Sequence, residues 1–77
     1  MRDERIAKAI GRRIREWRKA RGLTQTEFSD KLGGSYKKTN LSPIENGKKM
    51  PSVVGLRLMA KTMDTTMEAL MDEGEEI

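Results

Sequence analysis

The first segment of the chain carries its large apolar residues at helical spacing. Ile6, Ile10, Ile14 and Trp17 follow one another at intervals of 4, 4 and 3 residues. This spacing places them in one stripe of an amphipathic helix, with arginines on the remaining faces. Gly22 is a typical C-terminal stop. The pattern therefore predicts a first helix that ends near Gly22.

A second helix is predicted directly after this stop. Thr24 and Glu27, three residues apart, match a capping box, in which each side chain satisfies a backbone N–H of the first turn. Phe28 and Leu32 continue an apolar face, and the pair of glycines that starts at Gly33 interrupts it.

The C-terminal half also has helical periodicity. Pro51 and Ser52 mark the start of a fourth helix, and Thr65 with Glu68 repeats the capping-box pattern for a short fifth one. The predicted inner face of the fourth helix consists of Val53, Leu56, Met59, Ala60 and Met63. No segment alternates with a period of two. The expected fold class is all-α, with five short helices in one domain over residues 1–71 and an acidic tail, residues 72–77, that is expected to be frayed.

Composition narrows the chemistry that is available. The 77 residues include no cysteine and no histidine, which removes the usual zinc ligands and the usual proton shuttle at neutral pH. No nucleophile–base pair is visible, so we expect no enzyme, no metal and no cofactor. The chain shows neither a membrane span nor a signal-peptide core, which predicts a cytoplasmic location without membrane association.

Charge is distributed unevenly along the chain. Residues 1–49 contain 14 Lys or Arg and 6 Asp or Glu, whereas residues 50–77 contain 2 and 6. A basic first part followed by an acidic part suggests that one surface faces a polyanion.

The order of several motifs gives a more specific indication. The run "IREWRKARGLTQTEFSDKLG…LSPIENGKKMPS" resembles the phage-repressor and Cro-like (XRE-type) helix-turn-helix family, over about residues 10–71. The residues that carry the resemblance are Ile14, Arg18, Gly22, Leu23, Thr24, Gln25, Phe28, Leu32, Leu41, Ser42, Ile44, Glu45, Asn46, Gly47, Pro51 and Ser52. It implies a compact five-helix, lambda-repressor-like domain whose helix-turn-helix, about residues 24–47, is formed by helices 2 and 3.

The resemblance also implies a role and a set of contacts with double-stranded DNA. In this family the second motif helix lies in the major groove and the first crosses the backbone. Thr24 and Gln25 would meet a phosphate at the start of helix 2, and lysine, asparagine and hydroxyl side chains further on can read base edges. The expected DNA-binding residues are Thr24, Gln25, Tyr36, Lys37, Lys38, Thr39, Asn40, Ser42, Lys48 and Lys49.

Two further pairs of residues are given structural roles. In relatives an arginine and a glutamate at the positions of Arg18 and Glu45 form an ion pair between helices 1 and 3, which fixes register. Val54 and Leu58 are four residues apart and do not fit the inner face of the fourth helix. They are the candidate interface of a homodimer, which would suit paired DNA half-sites.

This chain departs from the family pattern in the third helix. It has two more residues than usual between Leu32 and Leu41, and Pro43 occupies a helical position, where an interior proline costs roughly 3 kcal/mol. A helix that starts at Thr39 or Asn40 would place Pro43 in the first turn, where no donor is needed. The alternatives are a helix capped by Ser42 and a longer helix kinked at Pro43.

Three functions follow from these patterns. The leading hypothesis is a nucleoid-associated bacterial or phage transcriptional regulator that binds DNA as a homodimer and acts as a repressor. The alternative is an interaction module such as the antitoxin of a toxin–antitoxin pair. A basic membrane-surface role for the first helix is disfavoured, because the following amphipathic helices need that helix to complete a core.

Overall fold

The computed structural model describes residues 2–33 and 38–72. These residues form five α-helices and no β-strand, so the prediction of an all-α chain with five helices is confirmed. The helices are α1 (Arg2–Ala20), α2 (Gln25–Lys31), α3 (Lys38–Glu45), α4 (Val53–Thr62) and α5 (Met67–Met71). The predicted frayed tail lies outside the described residues, apart from Asp72.

The long helix α1 is the element against which α3 and α5 pack. Ile10 and Ile14 of its apolar stripe are fully buried, and Ile6 and Trp17 at the two ends of the stripe are partly buried against the same core. Gly11 lies on the side that contacts α3, and a β carbon at this position would clash with the backbone carbonyls of Ile44 and Glu45. The glycine therefore allows α1 and α3 to cross backbone against backbone.

One core joins all five helices. It consists of the buried side chains of Ile10, Ile14, Phe28, Leu32, Leu41, Ile44, Leu56, Met59, Ala60, Met63 and Leu70. The core residues from the first four helical segments are three or four positions apart, as expected for amphipathic helices around a common centre, and α5 contributes Leu70. At roughly 25 cal/mol for each Å² of apolar surface buried, this core is the main source of stability.

Three helices end in the same way. The residue after the last turn has a positive φ in each case, 66° at Gly22, 73° at Gly47 and 55° at Asp64. The N–H of the following residue then donates a hydrogen bond to the carbonyl five residues earlier, as in a Schellman motif. These bonds are Leu23 N to Arg18 O (3.0 Å), Lys48 N to Pro43 O (2.9 Å) and Thr65 N to Ala60 O (2.9 Å). Asp64 takes the position where glycine is common, because aspartate tolerates this conformation better than most residues.

The predicted cap of α5 is wrong by one residue. Thr66, not Thr65, is the N-cap, and its side-chain oxygen accepts a hydrogen bond from the Ala69 N–H. The Thr65 N–H donates to Ala60 O at the end of α4, so it is not available for the bond to Glu68 that a capping box at Thr65 requires. The capping box of α2 is confirmed, with both the Thr24 and the Glu27 bonds present.

The prediction for Val53 is also wrong. Its side chain is 73% exposed, whereas the other four residues of the predicted inner face of α4 are buried. Val53 is the first residue of the helix, directly after the Ser52 cap. The helix therefore starts too near the edge of the fold for this side chain to reach the core.

The start of α3 differs from the expected one. The helix begins at Lys38, one or two residues earlier than predicted, so that Pro43 is an interior residue. Residue 43 has no N–H to donate to the Thr39 carbonyl, and the helix forms without that bond. Leu41 and Ile44 on either side of the proline are fully buried. The free energy gained by burying these two side chains outweighs the cost of one missing hydrogen bond. The expectation that proline is excluded from the interior of a helix therefore does not hold here.

Candidate nucleic-acid interface

The position of α3 is fixed by a buried charge cluster. Arg18 of α1 donates from Nε to Glu45 Oε2 at 2.7 Å and from Nη2 to Glu45 Oε1 at 3.0 Å. The Glu45 side chain is fully buried and that of Arg18 is 11% exposed. A two-bond pair of this kind fixes both the spacing and the rotation of the two helices.

The same arginine also holds the turn before α2. Its Nη1 donates to the Leu23 carbonyl at 2.8 Å. The hydrogen bond from the guanidinium to Glu45 raises the pKa of Arg18 above its ordinary value, and burial acts in the opposite direction. The guanidinium thus stays charged throughout the physiological pH range.

Gln25 completes the cluster from α2. Its Nε2 donates to Glu45 Oε1 at 3.1 Å, so one carboxylate connects α1, α2 and α3. Gln25 is half-buried and begins α2, directly after the Thr24 cap. One of its two amide hydrogens is used in this bond, and the other can donate outward. Thr24 is exposed, and its side-chain oxygen accepts from the Glu27 N–H at 3.1 Å.

Arg15 contributes to this region, although it is not among the expected DNA-binding residues. Its Nη2 donates to Asn46 Oδ1 at 3.2 Å, and its Nε lies 3.8 Å from Glu45 Oε1. The spacing along the sequence could have predicted this role, because Arg15 is three residues before Arg18 and therefore faces the same side of α1. Arg13 was missed in the same way, and its Nε and Nη2 donate to the Asp72 carbonyl after α5, at 3.3 and 2.9 Å.

The other expected DNA-binding residues that the structure describes lie on α3 and on the connection from α3 to α4. Asn40 on α3 is exposed and Ser42 is half-buried. Lys48 and Lys49 are exposed on the connection between α3 and α4, immediately after the Gly47 turn. Tyr36 and Lys37 lie outside the described residues.

Lys38 and Thr39 form the first turn of α3 in the backbone described by the structure. Together with Asn40 they begin the helix that follows the turn of the motif. Lys48 and Lys49 follow the other end of α3.

Val54 and Leu58 do not have equivalent positions. Val54 is 78% exposed, next to Val53 on the first turn of α4. Leu58 is half-buried and packs against the core. Only Val54 therefore contributes freely accessible apolar surface.

Two features are absent from the described part of the chain. No group of three or more acidic residues within it could hold a metal ion. None of its helices has the length and apolar character needed to cross a membrane.

Comparison with known proteins agrees with this geometry. A family model described as helix-turn-helix matches residues 14–70, which include the Arg18, Gln25 and Glu45 cluster. The chain belongs to the helix-turn-helix family. The resemblance noted in the sequence is therefore confirmed for most of the chain.

Two helix-turn-helix relatives are transcriptional regulators named SinR. The one from Bacillus subtilis is 35% identical over 68 residues, and the one from Bacillus licheniformis is 34% identical over 68 residues. Each match covers 87% of this chain and 60% of the relative. The chain thus spans less than two thirds of the length of these regulators. No solved structure matches the chain.

Proposed function

We propose that this helix-turn-helix chain is a sequence-specific, double-stranded DNA-binding transcriptional regulator that acts as a repressor. The observation that supports it best is the bidentate bond between Arg18 and Glu45, joined by Gln25. Reading base edges requires a helix held in a fixed orientation, and this cluster holds α3 by one buried carboxylate. Relatives that carry the name of transcriptional regulators support the same role.

The proposed contacts divide into two classes. Asn40, with Lys38 and Thr39 at the start of α3, would contact base edges, because asparagine can pair with adenine on two edges. Gln25, Lys48 and Lys49 would contact phosphates, which fix the register of the domain on the duplex. Ser42 and Thr24 have hydroxyl groups that suit either class.

A homodimer is part of this proposal. The first turn of α4 and the residues before it expose Val54 at 78%, Val53 at 73% and Met50 at 40%. In this proposal these exposed apolar side chains contact a second copy of the chain, and a two-fold dimer would bind two half-sites about one helical turn apart. Regulation of this kind would take place in the cytoplasm, on the nucleoid.

The antitoxin alternative is not better supported.

Selection from a pool of random duplexes tests the proposed function. The chain should enrich one sequence, and the enriched sites should contain two inverted half-sites if a dimer binds. A pool that shows no enrichment over several rounds, with a folded protein, would contradict sequence-specific binding.

A further inference from the structure

A second surface of the domain borders α2 but does not include α3. It is an open groove of about 820 Å³ between the C-terminal parts of α1, α2 and α4. The residues that line this groove are Trp17, Arg21, Leu23, Lys31, Leu58, Lys61 and Thr62. None of them belongs to α3 or to the connection that carries Lys48 and Lys49.

The floor of the groove is apolar and firmly supported. Trp17, Leu23 and Leu58 are each half-buried, so each presents part of an apolar side chain to solvent. Trp17 packs on the buried Phe28 ring, with centroids 5.6 Å apart. The Arg21 guanidinium lies 3.9 Å from the centroid of the Trp17 ring. The indole is therefore held in place by the core.

The rim of the groove carries only positive charge. Arg21, Lys31 and Lys61 are exposed, and the lining contains no acidic residue. Within residues 2–33 and 38–72 none of these three cations forms an ion pair with a carboxylate.

We propose that this groove binds an acidic peptide segment of a partner protein, with an apolar side chain of that segment inserted against Trp17 and Leu58. The cations on the rim supply the charge complementarity, and the apolar floor supplies a central anchor of the kind that dominates protein interfaces. A phosphate backbone would satisfy the rim but has no group for the floor. The groove thus gives the regulator a contact with a protein that is separate from its contact with DNA.

Trp17 makes the proposal directly measurable, because it is the only tryptophan of the chain. The probe is the synthetic peptide EELLEELLEE, titrated against the full chain while the fluorescence of Trp17 is recorded. We expect a saturable change of the emission. The matched peptide EESSEESSEE, with equal charge and no apolar anchor, should bind much more weakly.

Charge-reversed variants locate the binding. The double variant Lys31→Glu with Lys61→Glu should weaken binding about tenfold, since two contacts on the rim become repulsive. Arg12→Glu with Lys19→Glu makes the same change of net charge at exposed positions of α1 outside the groove, and should retain most of the affinity. Circular dichroism establishes that both variants are folded.

Several results would overturn the proposal. These are the absence of a saturable Trp17 signal at millimolar peptide, equal binding of the two peptides, or equal losses in the two double variants. A Trp17 signal that changes with protein concentration alone would instead assign the groove to a second copy. A signal that a DNA duplex produces and the peptide does not would assign it to DNA.

Discussion

Gly11 of α1 and Glu45 of α3 are in backbone contact, since a β carbon at Gly11 would lie 2.6 Å from the Glu45 carbonyl oxygen. The same glutamate bears the carboxylate that binds Arg18 and Gln25. The crossing of α1 and α3 and the orientation of the proposed reading helix therefore depend on one small region. Substitutions there should affect stability and DNA binding together.

Gly11→Ala tests the backbone contact. In an exposed helix this change would stabilise by about 0.5–1 kcal/mol, because alanine is the better helix former. Here the added carbon meets carbonyl groups that no side-chain movement can relieve, so we expect the free energy of unfolding to fall by about 1–3 kcal/mol. Urea denaturation of the variant and the parent chain measures this difference in the free energy of unfolding. Unchanged or increased stability would show that α3 is not held against α1 in this way.

Removal of one partner from the buried ion pair should be costly. Arg18→Met leaves the Glu45 carboxylate without its two guanidinium bonds, and we expect a loss of about 3–5 kcal/mol. Combining Arg18→Met with Glu45→Leu removes both charges and should recover a large part of this loss. A double variant that is as unstable as the sum of the two single variants would mean that the two residues act independently.

Gly22 and Gly47 form a matched pair for the helix ends. Both have positive φ, so alanine at either position should cost roughly 1–2 kcal/mol. A β carbon at Gly22 has nothing within 4 Å, whereas one at Gly47 would lie 2.7 Å from Lys8 Cγ and 3.0 Å from Lys8 Cα. Gly47→Ala should therefore destabilise more than Gly22→Ala in thermal or urea unfolding. The reverse order would contradict the described packing of Lys8 on the Gly47 turn.

The dimer proposal predicts a specific loss of association. Val54→Glu places a charge in the exposed apolar group on α4, and we expect it to raise the fraction of monomer in sedimentation experiments. Ala20→Glu adds the same charge at an exposed position of α1 and serves as the control. If both variants sediment like the parent chain, Val54 is not part of a dimer interface.

Lys48 and Lys49 should contribute affinity without sequence preference. Each phosphate contact that is lost should reduce the dependence of log K on log salt concentration by about 0.9. We therefore expect Lys48→Ala with Lys49→Ala to weaken binding of selected and unrelated duplexes alike, with a shallower salt dependence. An unaltered salt slope would exclude these lysines from phosphate contact.

The sequence predicted the helices well where apolar spacing and capping motifs agree, as in α1 and α2. It was less accurate where two elements share a residue. The sequence pattern matches a capping box at Thr65, but the Thr65 N–H already donates a hydrogen bond at the end of α4. A pattern of neighbouring residues does not show this bond. At Pro43 the local rule favoured a later start, and burial of Leu41 and Ile44 overrode it.

The candidate site shows the same limit. Arg18 and Glu45 are 27 residues apart, and family resemblance rather than spacing brought them together in the sequence. The part played by Arg15 and the bond from Gln25 to Glu45 depend on how α1, α2 and α3 meet. Only the assembled structure places those side chains together.

The most direct test of the account is the affinity of Asn40→Ala for the selected duplex and for an unrelated duplex, measured by fluorescence anisotropy at one salt concentration. Asn40 is exposed on α3 and is the proposed contact with a base edge, so we expect a loss of about 1–3 kcal/mol on the selected duplex. Binding of the unrelated duplex should hardly change. Equal losses on the two duplexes, or no loss on either, would contradict the claim that the start of α3 reads the sequence of the DNA.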